Sequence, residues 1–293
     1  MTHMIVNPVA GHGQAARLAE DAGRMLDSLA IAYTRVDTLS PGHGAALARE
    51  ALERGATRII CVGGDGTARE VASALMGSEC VFSVVPCGTG NDFVKTLGLP
   101  REPISALKTQ LAATPRRIDA CTVSGQVFIN AAGAGFDAEV VRYTQRYKAR
   151  VGGMLAYLLG VLRALFDARA HDMNLIIDGI PSRRRLMLAT VANGRYIGGG
   201  MRAAPLADPA DGLFDVMLTC EVTRFQILRL LPKFIDGSYL SLRFVERVTC
   251  KTIAISCPGM CLQVDGELMQ MNEALFEIHP GALWVTAGDY RPK

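Results

Sequence analysis

The sequence predicts an α/β N-terminal domain with a parallel sheet, followed by a C-terminal antiparallel β-sandwich domain with helical insertions. Three observations carry this reading. Over residues 1–120 short apolar runs alternate with helical patterns, which asks for a parallel sheet covered on both faces. The clear loops after those runs contain glycine, as expected where ligands sit at the carboxyl ends of strands. From Arg117 onward the runs become short and alternating, bounded by Ser-Gly, Asp-Gly and Asn-Gly pairs that signal hairpins. The expected boundaries give residues 1–119, completed by 281–293, to the first domain and residues 120–280 to the second.

Met4 to Val6 is the first expected strand, ending at Asn7-Pro8, and the turn VAGHG leads into the helical run QAARLAEDAGRMLDSLA. Ala32 to Asp37 follows as a strand, and Ser40-Pro41-Gly42 opens a helix around Gly44 to Arg54. Ile59 to Val62 is the third strand, stopped by GGDGT before the helical AREVASALMG. Cys80 to Val85 is the fourth, followed by PCGTGNDF with a short helix and by PREPISALKTQLAAT. In the second part, strands are expected at Arg117 to Val123, Val127 to Asn130, Met173 to Ile177 and Leu186 to Ala192. More follow at Phe214 to Leu218, Thr252 to Ser256, Cys261 to Val264 and Ala274 to Ile278. A helical insertion at Ala138 to Ala168 and a helix at Arg224 to Phe234 interrupt them. Trp284 to Ala287 is read as a strand rejoining the first domain, and a cleft shared by the domains is the expected seat of function.

At 293 residues, 49% of them hydrophobic, the chain is long enough for two cores of ordinary domain size. A net charge of +3 from 31 basic and 28 acidic residues excludes a nucleic-acid partner held by bulk electrostatics. The eight cysteines sit largely in apolar runs and outline no disulfide framework, and Cys257 and Cys261 lack the second pair a zinc site needs. The N-terminus enters a strand at once, with no charged segment ahead of a long apolar one. Met154 to Leu165 is shorter than the roughly 20 residues of a membrane span and is interrupted by Arg163. A cytoplasmic location is expected, with membrane association left open.

The GGDGT segment is built for a phosphate. Glycines let main chain approach a polyanion, and the first N–H groups of the next helix carry partial positive charge. It fits neither common nucleotide loop: Arg69 stands where G-x-G-x-x-G needs its third glycine, and no Gly-Lys-Ser/Thr triplet occurs. Asp65 inside this segment calls for a metal ion or a donor network beside the phosphate. PCGTGNDF repeats the logic, with Thr89 offering a hydroxyl, Asn91 a helix cap and Asp92 a carboxylate.

In VDGE a carboxylate is available to accept the proton of an attacking hydroxyl, although Asp265-Gly266 is equally the makings of a hairpin turn. Asp208, Asp211 and Asp215 crowd one loop, a donor set for a hard divalent ion or a plain aspartate-rich turn. Arg142, Arg146, Lys148 and Arg150 precede an apolar run through Leu165, which suits a helix resting on an anionic bilayer or lining a lipid entrance. A helix buried on the β domain with a solvated basic face suits the pattern as well. Arg183 to Arg185 reads as a solvated hairpin flank.

Together NPVAG at 7–11, GGDGT at 63–67, PCGTGNDF at 86–93, ANG, GGG, AP and DGLFDV between 192 and 216, and VDGE at 264–267 carry a resemblance. In this order, along nearly the whole chain, they resemble the diacylglycerol-kinase-type lipid kinases, and best their bacterial soluble branch. Sphingosine and ceramide kinases share that catalytic domain, whereas NAD kinases share GGDGT but not the GTGNDF loop. The resemblance implies an NAD-kinase/diacylglycerol-kinase-like fold, a nucleotide-binding first domain and a lipid-binding second one. It implies transfer of the γ-phosphate of ATP to the hydroxyl of diacylglycerol, phosphatidylglycerol or a similar lipid.

Carried onto this sequence, the resemblance assigns the ATP site to Gly64, Asp65, Gly66, Thr67, Ala68, Arg69, Glu70, Gly88, Thr89, Asn91, Asp92 and Thr38, with Asn7 and Gly11 at its phosphate end. One departure is Ala68-Arg69-Glu70, where the family usually has an apolar residue, Asn and Glu. Glu267 becomes the general base and Asp265 a supporting acid. A structural Mg²⁺ is implied at Asp211 with Asp208 and Leu213, and a catalytic Mg²⁺ arrives with ATP, near Asp65, Asp92 and Asp119. The implied partner is a lipid presented at a membrane surface, with peripheral membrane contact and a homodimer left open. An NAD-kinase-like nucleotide kinase and a non-catalytic nucleotide or lipid sensor stand as alternatives.

Overall fold

The computed structural model of the chain describes residues 1–148, 151 and 153–288; Arg150 of the basic run and residues 289–293 of the expected C-terminal completion lie outside them. The chain divides into two compact units: Met1–Ala120 with Pro209–Asp211 and the segment from His279 onward, and Cys121–Asp208 with Gly212–Ile278.

The first unit runs β1 (Thr2–Val6), a 3-10 turn (Ala10–Gly13), α1 (Gln14–Ser28), β2 (Tyr33–Asp37), α2 (His43–Glu53), β3 (Arg58–Gly63), α3 (Asp65–Leu75), β4 (Val81–Pro86), α4 (Asp92–Thr96) and α5 (Pro103–Ala112). Strand β1 lies between β2 and β3, β3 pairs with β4, and each of these pairs is parallel. The returning chain adds Trp284 and Val285 beside β4, also parallel. Strands β1, β3 and β4 are mostly apolar without alternation because they are buried on both faces. Ala15, Ala19, Ala22 and Leu26 of α1 recur at helical spacing and pack on Met4, Val6, Ile60 and Val62. Helix α5 starts at Pro103 and is capped by Glu102, whose carboxylate accepts the N–H groups of Ile104 and Ser105.

The second unit takes in β5 (Arg116–Val123), β6 (Gln126–Phe128), β7 (Ala131–Gly135), α6 (Phe136–Lys148), α7 (Gly153–Asp167), β8 (His171–Ile177), β9 (Ile180–Ala192), β10 (Phe214–Cys220), α8 (Arg224–Asp236), β11 (Val245–Cys250), β12 (Thr252–Val264) and β13 (Glu267–Val285), the first and last strands being shared with the other unit. Its antiparallel ladder runs β11-β10-β9-β7-β12-β13, with β8 pairing β9 and β12 and β5 pairing β6. Phe128, Phe214 and Phe276 meet at its centre, with ring centroids 6.1 and 6.2 Å apart, among Leu175, Val191, Ile253 and Leu262.

Several expected elements change form. Val127 to Asn130 is not one strand: β6 ends at Phe128, and the AAGAG strand β7 begins at Ala131. Thr252 to Ser256 and Cys261 to Val264 are parts of β12, joined through a bulge between Ser256 and Met260. Ala274 to Ile278 and Trp284 to Val285 both belong to β13. The 138–168 insertion is two helices. Asn193-Gly194 forms no hairpin turn; both N–H groups donate to the Asn130 carbonyl at 2.8 Å and the chain enters a long loop. Arg183, Arg184 and Arg185 lie within β9, pairing at its surface with Asp172, Glu246 and Glu221.

Candidate functional site

The loops after β1, β3 and β4 touch through main chain. Asn7 donates its N–H to the Val62 carbonyl at 2.9 Å, and its side-chain Nδ2 to Thr67 Oγ1 at 2.9 Å. Gly11 is left-handed at φ 59, and a Cβ there would fall 2.5 Å from the Cys87 carbonyl oxygen. A Cβ on Gly88 would fall 2.8 Å from Gly64 Cα. Only glycine allows these approaches. GGDGT is less of a loop than its sequence suggests: Gly64 is the extended N-cap, and Asp65, Gly66 and Thr67 form the first turn of α3. The space where a Gly66 Cβ would point is open to 4 Å. An open helix N-terminus among three apposed glycine loops is a cradle suited to phosphate. Thr38, at the end of β2, is buried and donates its N–H to the Val6 carbonyl at 2.7 Å.

Asp65 organises the second loop. Its Oδ1 accepts the Phe93 N–H at 3.3 Å, and a Cβ on Gly90 would meet its Oδ2 at 2.6 Å. Asn91 was expected to cap α4, but it is left-handed at φ 52 and turns back. Its amide closes on Gly88, accepting that residue's N–H and donating to its carbonyl, both at 2.8 Å. The cap on α4 is therefore Asp65, reaching across from α3. Lys95 secures the same loop, Nζ donating to the Gly90 carbonyl at 2.7 Å and to Asp92 Oδ1 at 3.3 Å. Burial and the charge of Asp92 push the Asp65 carboxyl up, against the pull of its main-chain donors. A buried carboxyl raised beside a second carboxylate fits a divalent cation nearby.

Other expected nucleotide residues serve the chain. Both oxygens of Glu70 are engaged, accepting the N–H groups of Gly42 at 2.8 Å and Gly44 at 3.0 Å, which anchors the start of α2. Ala68 is buried and its N–H donates to the Gly64 carbonyl at 3.0 Å, so neither its side chain nor that donor faces a ligand. Arg69 and Thr89 lie on α3 and in the second loop. Asp119 is buried and accepts the Gly281 N–H at 2.8 Å, tying the returning chain to β5.

In the second unit the VDGE segment is the β12–β13 turn, with Asp265 at φ 46 and Gly266 at φ 88, the two left-handed positions of a type I′ hairpin. The Asp265 carboxylate also clamps the break between β6 and β7: Oδ2 accepts the Ile129 N–H at 2.8 Å, and Oδ1 those of Asn130 and Ala131 at 3.0 Å. Its observed work is thus to hold main chain. Glu267 is the exposed first residue of β13. Gln263 steadies this turn, its Oε1 accepting the Gly266 N–H at 3.0 Å and its Nε2 donating to Asp137 Oδ2 at 3.3 Å.

Asp137 escaped the sequence reading, since its setting depends on the strand before it. Gly133 makes room for it: a Cβ there would fall 1.8 Å from its Oδ2. Burial pushes its carboxyl from an ordinary 3.8 up to about 7. The folded chain therefore keeps a proton that the unfolded chain has lost, so stability is full below about 3.8 and declines as pH rises toward about 7. Asp137→Asn is expected to flatten that decline in urea midpoints measured across the interval.

The aspartate loop is smaller than expected. Asp215 is fully buried in β10 and bonded to Arg247 Nε, so it belongs to the sheet. Asp208 is half-buried, Asp211 exposed and Leu213 half-buried, and the Pro209 carbonyl accepts the Asp119 N–H at 2.6 Å. Among the described residues no three His, Cys, Asp or Glu side chains gather as a metal cluster. A carboxylate with main-chain carbonyls, the donor set implied here, is of another kind and suits a hard ion.

Comparison with known proteins covers both units. Residues 1–123 match the diacylglycerol kinase catalytic domain, and residues 130–287 match the YegS C-terminal NAD kinase beta sandwich-like domain. The "Probable lipid kinase YegS-like" of Chromohalobacter salexigens is 33% identical over 285 residues, covering 94% of this chain and 91% of that protein. A diacylglycerol kinase of Mycobacterium tuberculosis is 28% identical over 288 residues, 96% of this chain and 93% of its own. The crystal structure of a diacylglycerol kinase from Bacillus anthracis aligns with a TM-score of 0.75 at 21% identity, over 98% of this chain and 97% of that one, a likeness of fold.

Proposed function

Because the chain belongs to the diacylglycerol-kinase-type lipid kinases, we propose that it transfers the γ-phosphate of ATP to a lipid hydroxyl, the unit of β1 to β4 holding the nucleotide and the β-rich unit the lipid. The observation that carries this reading is the open N-terminus of α3 set among three glycine loops whose main chains touch. Main-chain N–H groups there take the phosphates, Asn7 fixes Thr67, and Asp65 fixes the GTGNDF loop. Asp65 and Asp92 would hold Mg²⁺, which when bound neutralises phosphate charge; a second Mg²⁺ suits Asp211, Asp208 and the Leu213 carbonyl. Glu267 takes the proton of the lipid hydroxyl as its oxygen bonds to the γ-phosphorus and the bond to the β-phosphate oxygen breaks. Asp265 acts by holding the turn from which Glu267 projects. Positioning and electrostatic stabilisation do most of the work in phosphoryl transfer, which suits a site of fixed main-chain donors.

The GTGNDF loop favours a lipid acceptor over NAD, the acceptor of the related nucleotide kinases. With γ-labelled ATP offered membrane lipid extract or NAD, label is expected in the organic phase, and mass spectrometry of that phase identifies the lipid. Label on NAD alone would replace the reading with a nucleotide kinase. ATP binding without transfer to either would make the chain a sensor.

A further inference from the structure

Helix α7 carries apolar residues on two opposite faces, with Arg163 between them. Ala156, Gly160, Val161, Ala164 and Leu165 form its buried face, and Gly160 lies so close to α6 that a Cβ would fall 2.4 Å from Thr144 Oγ1. On the opposite face Leu155, Leu158, Leu162 and Phe166 recur at steps of three and four residues, each between 41% and 65% exposed. Helix α8 continues this surface. Its Arg224 donates to the Phe166 carbonyl at 2.7 Å, and the adjacent Phe225 is 80% exposed. A surface helix normally turns charge outward, and a contiguous run of exposed large apolar side chains marks a docking face.

The frame of this face is basic. Arg146, Arg169, Arg224 and Arg229 are exposed around the helices, while the acids Glu139 and Asp167 already pair with Arg142 and Arg163. Immediately past Phe166 a cavity of 340 Å³ is lined by Arg142, Arg169 and His171 together with Glu139 and Asp167. Burial first, and then the nearby Arg169, hold His171 below its ordinary value, against the opposing pull of Glu139. Among the described residues no helix is long and apolar enough to cross a membrane. Apolar side chains along one helix face, flanked by arginines, are the chemistry of a helix lying in an interface.

We propose that the outer face of α7, with Phe225 of α8, docks on an anionic phospholipid bilayer. The leucines and phenylalanines enter the headgroup and acyl boundary, and the flanking arginines meet lipid phosphates. The choice of a bilayer over another partner rests on the lipid-kinase reading; the face itself does not. In flotation with vesicles of mixed phosphatidylglycerol and phosphatidylcholine, the unaltered chain is expected to rise with the lipid, less so in high salt, and to stay down with phosphatidylcholine alone. The double variant Leu158→Glu, Leu162→Glu is expected to lose at least tenfold in binding, and the milder Phe225→Ser several-fold. Equal flotation of the folded variants and the unaltered chain would overturn the proposal. So would an unaltered chain that ignores the vesicles but forms a dimer dissolved by the double variant. Transfer from labelled ATP to membrane lipid extract dispersed in detergent micelles separates the two ideas: the double variant is expected to retain it. Its absence from the unaltered chain would sink the kinase reading while leaving flotation to judge the docking face.

Discussion

Glu267→Gln is expected to lower turnover by about 10²–10⁴-fold, the usual contribution of a general base, with nucleotide affinity unchanged. Glutamine keeps the size and polarity of the side chain but cannot take a proton at neutral pH. The residue opens β13 at the surface, directly after a type I′ turn held by Gln263 and Asp265, so the exchange disturbs little packing. Single-turnover transfer from labelled ATP and calorimetric titration with a non-hydrolysable ATP analogue read the two quantities separately. Near-normal transfer would remove Glu267 from its assigned role. Asp265→Asn should behave differently, because its carboxylate accepts three main-chain N–H groups. Hydrogen bonds to a charged group contribute about 1.5–3 kcal/mol each, and loss of even part of this clamp should appear first in the denaturation midpoint.

The strands that carry the glycine loops were legible because β1, β3 and β4 are mostly apolar runs that end at turn residues. Strand β7 was not. Alanine and glycine have poor strand propensity, and AAGAG is a strand because β9 and β12 supply partners on both sides. Its glycines answer to what packs on them: Gly133 leaves space for Asp137 of the next helix, and a Cβ on Gly135 would fall 2.3 Å from the carbonyl oxygen of Met187, far along the chain. Strand β11 was missed because it pairs with β10 at one edge of the ladder and is only partly buried.

The same division runs through the site. The types and spacing of GGDGT, GTGNDF and VDGE pointed to phosphate and proton chemistry. Which carboxylate binds and which one braces was hidden, since Asp65 caps α4, Glu70 anchors α2 and Asp265 clamps β6 to β7 through contacts distant in sequence. Local pattern reports helix and strand periods, whereas the partner of a carboxylate is set only after the sheet has formed.

Gly88→Ala tests whether contact between the two glycine loops matters for nucleotide binding. The new methyl carbon would sit 2.8 Å from Gly64 Cα and 3.0 Å from Asn91 Oδ1. Neither neighbour can yield cheaply: Gly64 is main chain at the head of α3, and the Asn91 amide is committed at both ends to Gly88. Overpacking of this kind costs about 1–3 kcal/mol. The loops can relieve it by parting, which moves the N–H groups of α3 out of the geometry a phosphate needs, so the strain becomes a loss of affinity of about 5- to 150-fold. Gly66→Ala is a comparison for the fold alone: nothing lies within 4 Å of its new carbon, so the ligand-free Tm should not register it, although that carbon points into the open cradle itself. Thermal melts with and without Mg²⁺-ATP distinguish the outcomes. The expected result for Gly88→Ala is a large loss of the nucleotide-induced rise in Tm, with a modest change in the ligand-free Tm. An undiminished rise would mean that the loops approach one another for packing alone, and the phosphate would have to be sought elsewhere.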